Sequence, residues 1–558
     1  MYMEMYSEMM VQEMKRRKLL LVLMMAATVC FCSCGRSVSV KNEEKGTGEE
    51  KVSESEKDTE SETKKEKETK EADGSTDKNQ KNSGAESRLL SVRTATDYES
   101  EYSDDYRIIA SLKYATISLN AQDAKDYKEL SKALKDYNKE NKESMEEEYQ
   151  SSISEAREEL SNSSDYFSEY YIEEDIVVRR ADTNVLSFVS HGSMYQGGAH
   201  GFYYCSGINY DVKTGERLIL SDVVTDRSRL PELIEEQLDI FWKDTSLYED
   251  LDIKEMFDVS DYEPSWVLDY NGLTIFFNPY EIAPFASGMQ VVTLTYNEYP
   301  ELIKEQYREH PEAYCVELYN GSDFFYDLDG DGKLDKLHVM AYKDEYDNYD
   351  QQSIGINNQW FEDDIDGLSV EPVFVHNTDG KNYLYIENGF VNDYGQLSIY
   401  NLNHARAEKQ DMVYCGWHYV EEDGEWGELV FNNPESFILD TLTEVLSTAT
   451  GYKNYYVNQN GMPAARQDWY DFGYYHELTL KKPLDVVIVD EATGKQRGSE
   501  TLKEGTKVKY FRTDNSKYAD LLLEDGRVAR VDIERNEGMC YIDGVYIEEI
   551  FEGIVFAG

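Results

Sequence analysis

Cysteine is scarce in this chain. Only seven occur in 558 residues, and four of them (Cys205, Cys315, Cys415 and Cys540) lie beyond the first 34 positions, spread one per hundred residues or so. That spacing is no disulfide framework and no zinc site, and the eight histidines are equally scattered. Positive charge is also short: 56 Lys and Arg stand against 111 Asp and Glu, a net charge of -55. Such a polyanion repels phosphate backbones, which excludes a nucleic-acid binder. Catalytic signatures are missing too. There is no HExxH, no GxSxG, no phosphate loop and no CxxC pair, so no residue set is singled out as an active centre. Long hydrophobic runs are absent everywhere but at the N-terminus.

That one run carries the address. Residues 14–35 read MKRRKLLLVLMMAATVCFCSCG: a cationic start at Lys15–Lys18, an apolar stretch from Leu19 to Val29, then small and thiol residues up to Cys34 and Gly35. The stretch is short for a membrane span. It resembles a bacterial lipoprotein signal (1–34) with Cys34 as the lipidated first mature residue, although Phe31 and Cys32 depart from the usual pattern. The resemblance implies a lipid-anchored protein on the outer face of the bacterial cytoplasmic membrane. Acidic Glu4, Glu8 and Glu13 suit no signal and are read as an upstream start. Residues 35–97 are dominated by Glu, Lys, Ser and Thr with mixed signs and almost no aromatics, a composition unable to bury a core, and form a disordered linker.

With 40% hydrophobic and 13% aromatic residues, 45 of them tyrosine, the remainder supports real cores. Over 98–310 the reading is a strand at 107–120, then apolar residues at threes and fours from Tyr127 to Leu160, marking one long charged helix or two. Strands follow at 173–180 and 183–195, and a hairpin at 207–220 turns on Lys213-Thr214-Gly215-Glu216. A helix from Leu230 to Trp242 is opened by Ser228 and Pro231, and two strands flank a proline-interrupted loop in 273–296. The order implies an α+β domain. The segments YQGGAHG (195–201), YDVKTGE and GLTIFFNPYEIAPFASG (272–288) resemble the extracellular region shared by the anti-sigma factor RsiV and the deacetylase PdaC. That resemblance implies lysozyme or wall glycan (peptidoglycan) as partner. A lipidated Cys34 would leave no cytoplasmic segment to hold a sigma factor, and the deacetylase module is not found. The candidate binding residues are Gly197, Gly198 and His200 in a glycine-rich turn, with Tyr280, Glu281 and Phe285 on a loop stiffened by Pro279 and Pro284. Each also has a purely structural reading, as a turn or as core plugs.

In 311–475 the clearest signal is DLDGDGKLD. Asp327, Asp329, Asp331 and Asp335 fall at positions 1, 3, 5 and 9, Lys333 offers its carbonyl at 7, and Gly330 and Gly332 permit the turn. Alternating carboxylates on a coiled loop suit structural Ca²⁺, and the loop resembles those of FG-GAP and VCBS repeats rather than an EF-hand, since His338 stands at position 12. The spacing of Phe437, Leu439, Leu442, Val445 and Leu446 predicts a helix within 433–451. Residues 476–558 read as short strands with glycine turns, a small β-barrel resembling bacterial Src-homology-3-like domains. The expected whole is α+β: a surface lipoprotein that binds lysozyme or wall glycan, with a wall-modifying hydrolase or a calcium-dependent adhesive scaffold as alternatives.

Overall fold

The computed structural model describes residues 87–162, 167–259, 262–390, 395–422 and 425–556. Cys34, the signal and most of the linker lie outside them. Among the described residues no helix is long and apolar enough to cross a membrane.

The first sheet has seven strands. Its leading five are β1 (Val92–Tyr102), β2 (Ile108–Leu119), β3 (Tyr170–Ala181), β4 (Val185–Tyr195) and β5 (Phe202–Asp211), adjacent in that order. All neighbours are antiparallel except β2 and β3, which run parallel because a helical crossover joins them. That crossover is α1 (Ala121–Asp126) and α2 (Lys128–Asn162), so the periodicity from Tyr127 onwards does mark helix. Asn120 caps α1 by accepting from the N–H groups of Gln122 and Asp123, and Tyr127 (φ -120°, ψ 63°) breaks the two apart. Leu130 and Leu134 anchor the start of α2 on the sheet, and Met145, Tyr149, Ile153 and Ala156 anchor its remainder against Ile109, Leu112 and Ile172.

On the opposite side lies a three-stranded sheet of β6 (Ser265–Leu268), β7 (Gly272–Phe277) and β8 (Gln290–Thr295), together with α3 (Leu230–Phe241). Gly207 is required here. A Cβ at that position would meet the Trp266 carbonyl oxygen at 1.9 Å, so only glycine lets β6 cross β5. The expected hairpin over 207–220 is half formed. Its turn closes with Gly215 N–H donating to Asp211 O, but the returning arm makes a single bridge, Tyr210 to Arg217, before helix Leu220–Val223 begins.

The middle of the chain is a pair of sheets: β10 (Asp323–Tyr326), β11 (Asp335–Lys343), β12 (Tyr349–Ile356) and β13 (Gln359–Gly367) in one, and β9 (Tyr314–Glu317), β14 (Glu371–His376), β15 (Asn382–Gly389), β16 (Gly395–Asn401) and β17 (Glu408–Val413) in the other. Phe324, Leu337, Val339 and Ile354 of the first pack with Val316, Phe374, Leu384 and Ile386 of the second. Next come β18 (Gly416–Trp417), β19 (Tyr419–Glu422) and β20 (Glu425–Leu429). The hairpin β19–β20 completes the first sheet through Arg93 opposite Leu429 and Thr94 opposite Glu428.

Three expectations are corrected. The described residues are mostly β, 48% strand against 17% helix, rather than a balanced α+β fold. The helix expected within 433–451 is a hairpin of β21 (Phe437–Glu444) and β22 (Thr448–Val457), whose buried Phe437 and Leu439 sit two apart. Ile438, Thr441, Thr443, Val445, Thr448 and Thr450 are β-branched, and that density outweighs the helical spacing of the apolar residues. The C-terminal region is not a closed barrel among the described residues. Strand Lys507–Thr513 pairs with Tyr518–Leu523 on one side and with Tyr470–Phe472 and Glu477–Leu480 on the other. The sheet thus runs on into β22, and Gln496–Leu502 ends the path.

Candidate functional site

The strand register lays out one sheet face. Directly opposed residues share a face, and successive residues along a strand alternate. Reading across β1 to β5, Tyr98, Lys113, Glu173, Ser193 and Tyr203 form one row, and Ser100, Ser111, Tyr171 and Tyr195 form the next across β1 to β4. Every one of these side chains is exposed or half-buried, and Tyr98 is 71% exposed. On the reverse face of β1, Asp97 accepts from Tyr114 Oη and Glu101 pairs with Arg157 of α2. Tyrosine, hydroxyl and mixed charge therefore line the surface away from the helix.

At the β5 edge this face meets the residues singled out by sequence. His200 stacks on Phe285 with centroids 4.4 Å apart, and Phe285 is flanked by Tyr203 at 5.3 Å and Tyr280 at 5.6 Å. His200 donates from Nδ1 to Gly201 O at 2.7 Å. Gly197 (φ 82°) and Gly198 (φ 98°) hold the left-handed turn before it. Gly198 O also accepts from Tyr195 Oη. The 278–288 loop is tied down by Asn278, whose amide exchanges hydrogen bonds with the Cys205 backbone at 2.8 and 3.1 Å. Glu281 is exposed and accepts from Asn278 N–H. Tyr280 and Phe285 are half-buried, so they do not plug a core. Sequence reasoning missed the strand tyrosines Tyr98, Tyr171, Tyr195 and Tyr203. Tyr195 ends the strand expected at 183–195, but Tyr98, Tyr171 and Tyr203 lie outside the expected strand ranges, and the four became a surface only once the register was known.

The acidic loop brings three of its candidates together. Carboxylate oxygens of Asp327, Asp329 and Asp335 lie within 4.8 Å of one another. Asp327 accepts from Gly330 and Gly332 N–H, and Asp335 from Leu328 N–H and Asn357 Nδ2. Burial pushes the Asp335 carboxyl up, against those hydrogen bonds and with help from Asp329 and Asp327. Asp331 stands outside this trio, its carboxylate accepting from Lys333 N–H, and the Lys333 side chain is exposed. The three carboxylates are hard oxygen donors of the kind Ca²⁺ takes, and the left-handed Gly330 and Gly332 are what fold them inward.

Residues 219–297 match the family model described as "Protein of unknown function (DUF3298)". This segment contains α3, β6 to β8 and the 278–288 loop, hence Tyr280, Glu281 and Phe285, but not the Gly197–His200 turn. No curated protein matches the chain. Among solved structures, a DUF3298 family member from Bacteroides fragilis NCTC 9343 is 19% identical, covering 39% of this chain and 94% of its own, with a TM-score of 0.31. A DUF3298 family protein from Pseudomonas aeruginosa PAO1 is 14% identical, covering 40% of this chain and 99% of its own, with a TM-score of 0.28.

Two sets of buried charges escaped sequence reasoning. A bulge in β3 between Val178 and Arg180 places consecutive arginines inside. Arg179 grips Asp269 through Nε and Nη2 at 2.9 and 2.8 Å, and Arg180 pairs with Asp182 at 2.7 Å while donating to the Tyr307 and Glu309 carbonyls. The second set is four glutamates, Glu387, which is buried, and Glu317, Glu371 and Glu428, which are half-buried.

Proposed function

We propose that this chain is a bacterial cell-surface lipoprotein, anchored through Cys34, whose RsiV-like region binds an extracellular partner through the tyrosine-bearing face of the first sheet. Wall glycan is the favoured ligand and a lysozyme-like cationic protein the second. The carrying observation is the pair of cross-strand rows ending at the His200–Phe285 stack. Flat rings interleaved with hydroxyls and both signs of charge suit a polyhydroxylated chain, which needs stacking surfaces and hydrogen-bond partners together. The acidic body favours the cationic protein instead through long-range attraction, a contribution that salt weakens. The match of 219–297 to DUF3298 is consistent with the RsiV-like reading. Structural Ca²⁺ on Asp327, Asp329 and Asp335 would brace the β10–β11 connection.

The test is binding of the soluble chain to purified peptidoglycan and to lysozyme at low and high ionic strength. Retention on peptidoglycan that survives high salt, and that falls about tenfold in the Phe285→Ala, Tyr203→Ala double variant, is the expected result. Salt-sensitive binding to lysozyme alone would select the second ligand. Binding to neither would overturn the reading.

A further inference from the structure

Glu317, Glu371 and Glu387 lie on the same sheet face as Cys315, Val373, Val375, Tyr383 and Tyr385, where strand alternation puts apolar residues. Glu371 and Glu387 are direct cross-strand partners, and Glu317 is paired with Val373, one step along the same face. Glu428 of β20 lies close enough to feel the charge of all three, and it accepts from Tyr419 Oη of β19 at 3.0 Å. Like charges directly opposed across a sheet repel. The chain nevertheless makes room for them: a Cβ at Gly395 would meet Glu387 Oε1 at 2.5 Å, and one at Gly416 would meet it at 3.3 Å. Glu387 is 6% exposed, and the other three are half-buried.

The surroundings supply little compensation. From β3, Val178 N–H donates to Glu317 at 2.6 Å, a group released from the β3–β4 ladder beside the bulge. From β2 and β3 come Lys113 and Asp175, already bonded to each other at 2.5 Å. Buried Cys415 lies beside Glu387, and His418 is bound to Asp440 at 2.6 Å. Arg93 packs on the other face of β20, against Gly427. Among the described residues Lys113 is the cation that lowers one of these carboxyls, and the one it lowers is Glu371. Burial raises all four carboxyls, Glu317 to about 8, Glu371 to about 7, Glu387 and Glu428 well above the ordinary range; Glu371 adds to the rise at the other three, and Asp175 adds to the rise at Glu371.

We propose that the four glutamates form a proton-operated latch which seats the β19–β20 hairpin on the β9–β14–β15 sheet when they are protonated and unseats it when they ionise. The direction follows from linkage. These acids bind protons more tightly folded than unfolded, so their stabilising contribution is present below about pH 4.3, the ordinary glutamate value, and is lost as pH rises through about 7 to 8. Because β20 carries the partners of Arg93 and Thr94, unseating it would uncover the edge of β1. The latch does not depend on the partner proposed above.

Hydrogen exchange of residues 419–429 and of reference strands in the C-terminal sheet, in the full chain, from pH 5 to pH 8 and corrected for intrinsic rates, tests this.

 The reference strands are Lys507–Thr513, Tyr518–Leu523 and Val528–Asp532. Protection at 419–429 is expected to fall about tenfold or more over this range while the reference strands hold, and the Glu371→Gln, Glu428→Gln variant is expected to keep its protection at pH 8. Constant protection in the unaltered chain, or a variant that tracks it, would overturn the latch. Should the variant fail to fold, carboxyl titration of the unaltered chain by NMR decides: apparent values above 6 support the latch, and values near 4 refute it.

Discussion

Two kinds of buried charge sit on either side of one bulge in β3. Arg179 and Arg180 each find a carboxylate in ideal geometry, and the rest of the Arg180 guanidinium is spent on the Tyr307 and Glu309 carbonyls. One residue earlier, the Val178 N–H reaches Glu317, and of its three acidic neighbours Glu371 alone is lowered by a cation, Lys113. The difference teaches what each arrangement is for. A buried pair is costly to break because removing one partner strands the other in a poor solvent, so it fixes structure at all ordinary pH. Desolvated acids without counter-charges stay neutral only by holding protons, so they make structure conditional on pH.

The comparison breaks most visibly at Asp269. Asp269→Ala leaves Arg179 buried at 4% exposure with its main acceptor gone and should cost about 3–5 kcal/mol, read by chemical denaturation at pH 7. A loss below about 1 kcal/mol would mean that water reaches the guanidinium and the pair is not a fixed strut. His191 sharpens the comparison from the opposite side. Its ring stacks on Tyr319 at 4.0 Å, and burial, with Arg179 adding to it, holds the imidazole down to about 3. The unfolded chain takes up that proton near pH 6.5 and the folded chain does not, so stability is lost as pH falls below about 6.5. His191→Phe should remove about 1–2 kcal/mol of the loss between pH 6.5 and pH 5; an unchanged slope would show that the ring titrates freely. The smallest effect is expected at the exposed acidic loop. Asp329→Ala should abolish calcium binding by calorimetry and, in the unaltered chain, millimolar calcium should raise the melting temperature by a few degrees that chelator reverses. Binding that survives the substitution would sink the loop assignment.

Much of the first region was legible because its signals were local. The threes-and-fours spacing from Tyr127 marked the crossover helices, Pro231 marked the start of α3, and the proline-bounded loop between β7 and β8 was plain in the letters. The hairpin over 437–457 was misread because its apolar residues satisfy a helical spacing as well as an alternating one, and the β-branched content that decides between them was underweighted. Of the candidate site, His200, Tyr280 and Phe285 were found from a turn and a loop, and they do come together. The tyrosine rows were not found, since residues that are neighbours across four or five strands are far apart in sequence. Arg179 and Arg180 end the strand expected at 173–180 and drew no reading of their own, and only a bulge, which leaves no mark in composition, turns both inward. The four glutamates are drawn from β9, β14, β15 and β20, and nothing near any one of them announces the others.

The pairing of β1 with β20 sets a timetable for the newborn chain. Asn432 Nδ2 donates to Leu90 O at 2.6 Å across 342 residues of sequence, next to the Arg93–Leu429 rung. At about 5–20 residues per second, the ribosome needs roughly 20–70 s to deliver the second strand after the first has emerged. Through that interval the leading strand waits with one side bare, and a chaperone that shields it would govern the yield of finished molecules.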